Sequence, residues 1–320
     1  MFTADLWIYD RDAIGEDCKE FDQIIRQRLK KSCGTAKGCS LPNWKIIQIE
    51  YIDFFHKYRP CGLDLVEKKV IPSENLIWYR RSTVGNRTSL MEKWGRVINY
   101  TERFNGTIIR HIPYGVRSDC VLEVHKYLVE RYNLTLPTTK TPINPVFLDR
   151  PGDVRFFWFP LKRNCRGECQ ASKTRFEVSK VLLDMNTTKL NILVGNAGRT
   201  NSFGRRFASM EYVREMLKYK ILIVAQRDEH EDMYRLMESF VGGGLVMCDA
   251  MVAPPKYLVD GEHYVVYYSL DDLRRKIFYY LNECPAERLR IANQGWNLVM
   301  QKYRSFHLME QVILNQTVDI

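Results

Sequence analysis

The stretch Ile221–Asp249, ILIVAQRDEHEDMYRLMESFVGGGLVMCD, decides the fold. ILIVA is a short apolar, β-branched run of the kind buried in a parallel sheet. Asp228 followed by Glu231 has capping-box spacing, which predicts a helix from Glu229. At helical pitch Met233, Leu236, Met237 and Phe240 fall on one side, and Glu231, Tyr234, Arg235 and Glu238 on the other. Gly242–Gly244 end the helix, because glycine takes the left-handed conformation without steric penalty. LVMCD then reads as the next buried strand. The unit is one βαβ turn, whose helix N-terminus points to the crevice at the strands' carboxyl ends. Unpaired N–H groups at a helix start suit a phosphate, and Arg235 adds a cation able to bind one bidentately. Glu238 on the same face can accept hydrogen bonds from ribose hydroxyls. An ordinary amphipathic helix with a solvated Glu/Arg face fits the same pattern.

The segment resembles the donor-binding half of GT-B glycosyltransferases of the group-1 and spore-coat-protein-type families. Their core, R-x-x-E-[AS]-[FL]-x-x-G, is met by Arg235-Leu-Met-Glu238-Ser-Phe-Val-Gly242-Gly, followed by LVMCD and Pro254-Pro255. The likeness continues through DGEHYVVYYSLDDLRRKIFYYL and PAERLRIANQGWNLV, over roughly residues 150–310. It implies an α/β fold with two Rossmann-like domains of GT-B type and a ligand cleft between them. Residues 1–145 form a short acceptor-side domain, and residues 146–320 a nucleotide-sugar domain with closing helices. The implied activity is transfer of a sugar from a nucleoside-diphosphate sugar to a glycan, glycoprotein or other hydroxyl acceptor. A catalytically inactive relative that binds glycans or partners is the alternative.

The resemblance also assigns residues. Arg235 holds the diphosphate and Glu238 the ribose. Lys162 or Arg163 neutralises the leaving group, and Arg227, Tyr234 and Gly243 complete the donor contacts. Many retaining members carry a second glutamate two helical turns before the first. Counting back from Glu238 lands on His230, so Glu231 beside it is the candidate acid, or simply the capping-box acid. His111, in RHIPYGVR, is the candidate base from the first domain, with His56 an alternative. Similar enzymes need no bound metal, and the co-substrate is the only small molecule implied. Asp10-Arg-Asp12 has D-x-D spacing but lies in the wrong half for the donor.

A chain of 320 residues, 45% hydrophobic and 27% charged, suits two ordinary globular domains. No apolar run reaches the roughly 18 residues of a membrane span, and the N-terminus lacks signal-peptide character. Membrane association would need a segment outside this chain. The net charge of +10 is scattered over short clusters such as Arg80-Arg81. It suits a diphosphate donor, an anionic glycan or a membrane surface, and no nucleic-acid recognition motif accompanies it. Nucleophile-elbow, dinucleotide and P-loop signatures are missing.

Six N-x-T sequons occur, at Asn86, Asn99, Asn105, Asn133, Asn186 and Asn315. The composition would yield roughly two by chance. Nine cysteines include the loop pairs Cys33/Cys39 and Cys165/Cys169, which suit small disulfides, and Cys248 inside a predicted strand. Together these point to a secretory-pathway lumen such as the Golgi, with the cytoplasm as alternative.

Along the chain, strands are expected at 6–10, 44–55, 75–84 and 107–115. Helices are expected over 17–31 and from Asp119, the latter with Val121, Val124, Leu128 and Tyr132 inward. NLTLPTTKTPINP (133–145) reads as the interdomain connection. A second α/β series follows. Strands lie at 154–160 and 190–195, and helices at 174–185 and 209–218. Ser269-x-x-Asp272 starts a further helix, and Pro285 stands at the start of the closing ones.

Overall fold

The computed structural model describes residues 6–10, 23–27, 30, 45–50, 63–80, 84–85, 96–97, 108–132, 142–158, 172–186, 189–195, 210–226, 234–251 and 254–314. The chain divides into two compact units. One is Met1–Gly85, Val97–Ile112 and Gln311–Asp319, and the other is Asn86–Arg96, Pro113–Glu310 and Ile320.

The first unit carries β1 (Leu6–Asp10), β2 (Lys45–Glu50), α1 (Leu63–Glu67), β3 (Leu76–Arg80) and β6 (Ile108–His111). Between β3 and β6 lie the two-residue strands β4 (Val84–Gly85) and β5 (Arg96–Val97). β1, β2, β3 and β6 form one sheet in that order, parallel throughout. The expected strands at 6–10, 44–55, 75–84 and 107–115 all have counterparts here. Of the helix expected over 17–31, residues 23–27 and 30 are described, and they are helical. α1 has too few residues to show helical periodicity in sequence.

The second unit begins its regular structure with α2 (Ser118–Tyr132), which buries Cys120, Val121, Val124 and Leu128. Tyr132, expected inward, is instead exposed, with its ring edge-on to Phe147 at 5.9 Å. Then come β7 (Gly152–Phe156), α3 (Lys173–Met185), β8 (Ile192–Val194), α4 (Met210–Leu217), β9 (Tyr219–Val224), α5 (Tyr234–Val241), β10 (Leu245–Asp249) and β11 (Val265–Tyr267). The unit closes with α6 (Leu270–Phe278), a π-turn, α7 (Pro285–Lys302) and α8 (Ser305–Ile313), whose residues from Gln311 on are counted with the first unit.

Its five strands stand in the order β11-β10-β9-β7-β8, all parallel. Helices flank the sheet, so its strands are near-continuous apolar runs, and all five residues of β10 are buried. The core gathers Val154, Ile221, Ile223, Leu245, Met247 and Val265 from the strands with Val178 and Leu182 of α3 and Ile277 of α6. At about 25 cal/mol per Å² of apolar surface, this burial is the main favourable term holding the layers together.

Local signals act as expected. Ser269 Oγ accepts from Asp272 N at 3.0 Å, capping α6. Pro285 opens α7, where its missing N–H costs nothing. Gly243, with φ +68°, ends α5 in the left-handed region that a side chain would strain. Cys248 is fully buried in β10. The two loop cysteine pairs, residues 133–141 of the connection and the start of the helix expected at Glu229 lie outside the described residues. No helix among the described residues is long and apolar enough to cross a membrane.

Candidate nucleotide-sugar site

Strand order fixes where a ligand can sit. From β7 the chain moves one way to β8, then returns past β7 and builds β9, β10 and β11 on the other side. The reversal falls between β7 and β9. Helices on the two sides leave opposite faces there, opening a crevice beyond the carboxyl ends of these strands.

A recess occupies that crevice. Phe156, Phe157, Ile223, Val224 and Ala225 form its apolar floor, with Trp158, Arg175, Arg235 and Ser239 around them. Two guanidiniums bracket the Trp158 ring, with Arg175 at 4.3 Å and Arg235 at 5.4 Å from its centroid. Stacking on an aromatic face holds a guanidinium in place. Arg175 rises from the first turns of α3, started by the Ser172 cap, and its Nε donates to the Ala225 carbonyl at 3.1 Å. Arg235, in the first turn of α5, donates from Nη1 to the Phe157 carbonyl. Its Nε is buried and has no hydrogen-bond partner. Tyr234 sets its ring edge-on to Tyr114 at 5.9 Å, and the Arg235 guanidinium lies 5.8 Å from the Tyr234 ring centre.

Glu238 is one turn further along α5. Its side chain is not on a solvated face: the residue is 1% exposed, and the Tyr212 hydroxyl donates to Oε2 at 3.0 Å. Tyr212 in turn packs on Phe157, with centroids 4.6 Å apart. The carboxylate is therefore tied through Tyr212 to the lining of the recess. The wheel separated apolar from polar positions correctly at Leu236, Met237 and Phe240. It missed that α4 covers the remaining face.

Beside the recess the ends of β9 and β10 are joined. Asp249 Oδ1 accepts from Gln226 N at 2.8 Å. Gln226 Nε2 lies near Cys248 Sγ and Met251 Sδ, while its Oε1 is buried without a partner.

Gly243 is not brought to this place. It lies at the opposite, amino-terminal edge of the sheet, where a Cβ would meet Pro145 Cγ at 2.7 Å and Arg150 Nη2 at 3.1 Å. Arg150 fills that edge. It is 5% exposed and donates to the carbonyls of Met216, Leu217, Tyr219, Pro145 and Gly242 at 2.7–3.3 Å. Burial, with Arg288 nearby, pulls its pKa down to about 10, still charged at neutral pH. Arg155, buried in β7, is lowered by burial too, opposed by Glu215 at 3.6 Å.

Of the residues expected at the site, Arg235 lines the recess, Tyr234 stands beside Arg235, and Glu238 is buried behind the lining and linked to it through Tyr212. His111 is the last residue of β6 in the first unit. Lys162, Arg163, Arg227 and Glu231 lie outside the described residues. Sequence reading overlooked Arg175, Trp158 and Tyr212. Arg175 stood three residues after a serine cap, which is a usable signal, whereas Trp158 fell inside the strand expected over 154–160, which ends at Phe156 instead.

Residues 183–313 match a family model described as glycosyl transferase-like. That span contains Arg235, Glu238, Tyr212, Gln226 and Asp249. The chain has the GT-B glycosyltransferase fold. A UDP-forming α,α-trehalose-phosphate synthase from Burkholderia xenovorans is similar over 95% of this chain and 79% of its own, with TM-score 0.51 and 10% identity. Another, from Burkholderia vietnamiensis, is similar over 95% and 81%, with TM-score 0.50 and 9% identity. An Anabaena protein, HepE, solved with UDP and glucose, covers 94% of this chain with 83% of its own, at TM-score 0.48 and 9% identity. No protein with a curated description matches. The parallel sheets of both units and the switch-point recess are features of the GT-B architecture. Among the described residues, no group of three His, Cys, Asp or Glu side chains is placed to hold a metal ion.

Proposed function

We propose that this GT-B chain is a glycosyltransferase that moves a sugar from a nucleoside-diphosphate sugar to a hydroxyl group. The observation that carries the reading is the pair of guanidiniums, Arg175 and Arg235, around Trp158 at the β7/β9 switch point. Two fixed cations in a partly desolvated recess match a diphosphate, and they stabilise the charge that grows on it as the sugar departs. Glu238, held by Tyr212, accepts from the ribose. Arg235 presents its guanidinium to a phosphate oxygen.

In the reaction the acceptor oxygen forms a bond to the anomeric carbon as the bond from that carbon to the diphosphate oxygen breaks. The electron pair leaves with the nucleoside diphosphate, and the acceptor proton passes to a base, for which His111 is the candidate. Cations replace a metal at the leaving group, with Lys162, Arg163 and Arg227 as further members and Glu231 as candidate acid. The acceptor is a glycan or glycoprotein, and the working compartment is a secretory-pathway lumen. The sequon excess and loop cysteines support that compartment.

A thermal-shift series with nucleoside-diphosphate sugars tests the donor half. A bound donor at a hundred times its Kd adds about 2.7 kcal/mol to stability. No shift with any nucleotide sugar overturns the proposal. A shift without sugar transfer or donor hydrolysis, across an acceptor panel, identifies a catalytically silent binding relative instead.

A further inference from the structure

We infer that Asn186 is an acceptor of N-linked glycan. Among the described residues it is the one sequon asparagine, in Asn186-Thr187-Thr188, and it is exposed. It forms the C-cap of α3, just beyond the last turn. Its Oδ1 accepts from Ile192 N at 3.2 Å, at the start of β8. That bond fixes the amide plane and leaves Nδ2, the nitrogen that takes the sugar, without a hydrogen-bond partner. A buried amide nitrogen could not carry a branched oligosaccharide in the folded state; Asn186 is exposed and can.

The position also spares the candidate site. The α3–β8 turn is at the amino-terminal edge of the sheet, whereas the recess lies at the carboxyl ends. A glycan there stands beside Leu183, one turn earlier on α3 and 42% exposed, and beside β8, the last strand of its sheet among the described residues. Open strand edges and exposed leucines invite association between chains, and a hydrated oligosaccharide blocks it. All six sequons carry threonine, and their number exceeds chance, so the modification has a basis in the whole sequence.

The chemistry is a transfer from a lipid-linked oligosaccharide diphosphate by the oligosaccharyltransferase of the secretory lumen. A bond forms between Nδ2 and the anomeric carbon, the bond from that carbon to the diphosphate breaks, and Nδ2 gives up one proton to the enzyme. This inference rests on the proposed secretory-lumen compartment and not on the chain's own activity.

The test translates the full chain, behind a cleavable leader, into microsomes and keeps the protease-protected product. Trypsin releases VLLDMNTTK, in which Asn186 is the sole asparagine. After peptide N-glycosidase the wild-type peptide is expected with aspartate at 186. Thr188→Ser is expected to retain this conversion and Thr188→Ala to abolish it, both leaving the Asn186–Ile192 bond intact. Unmodified VLLDMNTTK from protected wild-type chain overturns the inference, as does equal conversion in Thr188→Ala.

Discussion

Two arginines at opposite edges of one sheet have opposite surroundings. Arg150, at the amino-terminal edge, donates to five backbone carbonyls and has only 5% of its surface exposed. Arg235, at the carboxyl edge, meets one carbonyl, leans on two aromatic rings and has a buried Nε without a partner. A buried donor is costly unless paired. The first arginine is complete within the fold, while the second keeps a donor unmet among the described residues. Charge alone does not separate the two; an unmet donor together with a place in the lining of the recess does.

The contrast breaks most visibly at Arg150. Arg150→Met leaves buried carbonyls unsatisfied and is expected to destabilise the second unit by about 3 kcal/mol or more. Thermal denaturation reads this, and the surviving folded protein should bind nucleoside diphosphate as the wild type does. A melting temperature within a degree or so of wild type would show that Arg150 is not the pin described.

Tyr212→Phe sharpens the other side. It removes the bond to Glu238 and keeps the ring on Phe157. Affinity for a nucleoside diphosphate should fall about threefold to tenfold, the scale of one hydrogen bond to a charged group. Affinity for inorganic diphosphate should stay, because Glu238 is assigned to the ribose. Calorimetry with both ligands checks this, and equal losses would contradict the assignment.

The smallest effect concerns His125, a satisfied group like Arg150. Its Nε2 accepts from Ile143 N at 3.0 Å, so the neutral ring is the one that fits. Burial, then Arg304, lowers its pKa from the ordinary 6.5. The unfolded chain therefore takes up the proton first as pH drops. Its stabilising contribution is complete above 6.5 and is lost as pH falls through that value toward the folded one. Melting curves from about pH 7.5 to about pH 5 should fall less steeply for His125→Gln, which retains an acceptor, than for wild type. Identical slopes would remove His125 from the account.

Much of this arrangement is legible in sequence because it is local. The strand–helix–strand reading of 221–249, the glycine stop at Gly243 and the Ser269 cap each depend on neighbours within a few residues. Arg150 and Arg175 are silent for the opposite reason. Their partners are backbone carbonyls of Met216 to Gly242 and of Ala225, and a carbonyl leaves no mark on residue identity. Glu238 illustrates the middle case. Helical pitch placed it beside Arg235, but its burial is decided by Tyr212, 26 residues earlier. Gly243 follows the motif yet lies at the far edge, because the turn it makes comes after the helix whose first turn lines the recess.

The direct test is the Kd of UDP for wild type and Arg235→Ala, measured by calorimetry beside their melting temperatures. Loss of a charge-assisted contact predicts binding weakened tenfold or more, about 1.4 kcal/mol, with the melting temperature of the free protein nearly unchanged. Equal UDP affinity in the two proteins would contradict the claim that the switch-point recess holds the diphosphate.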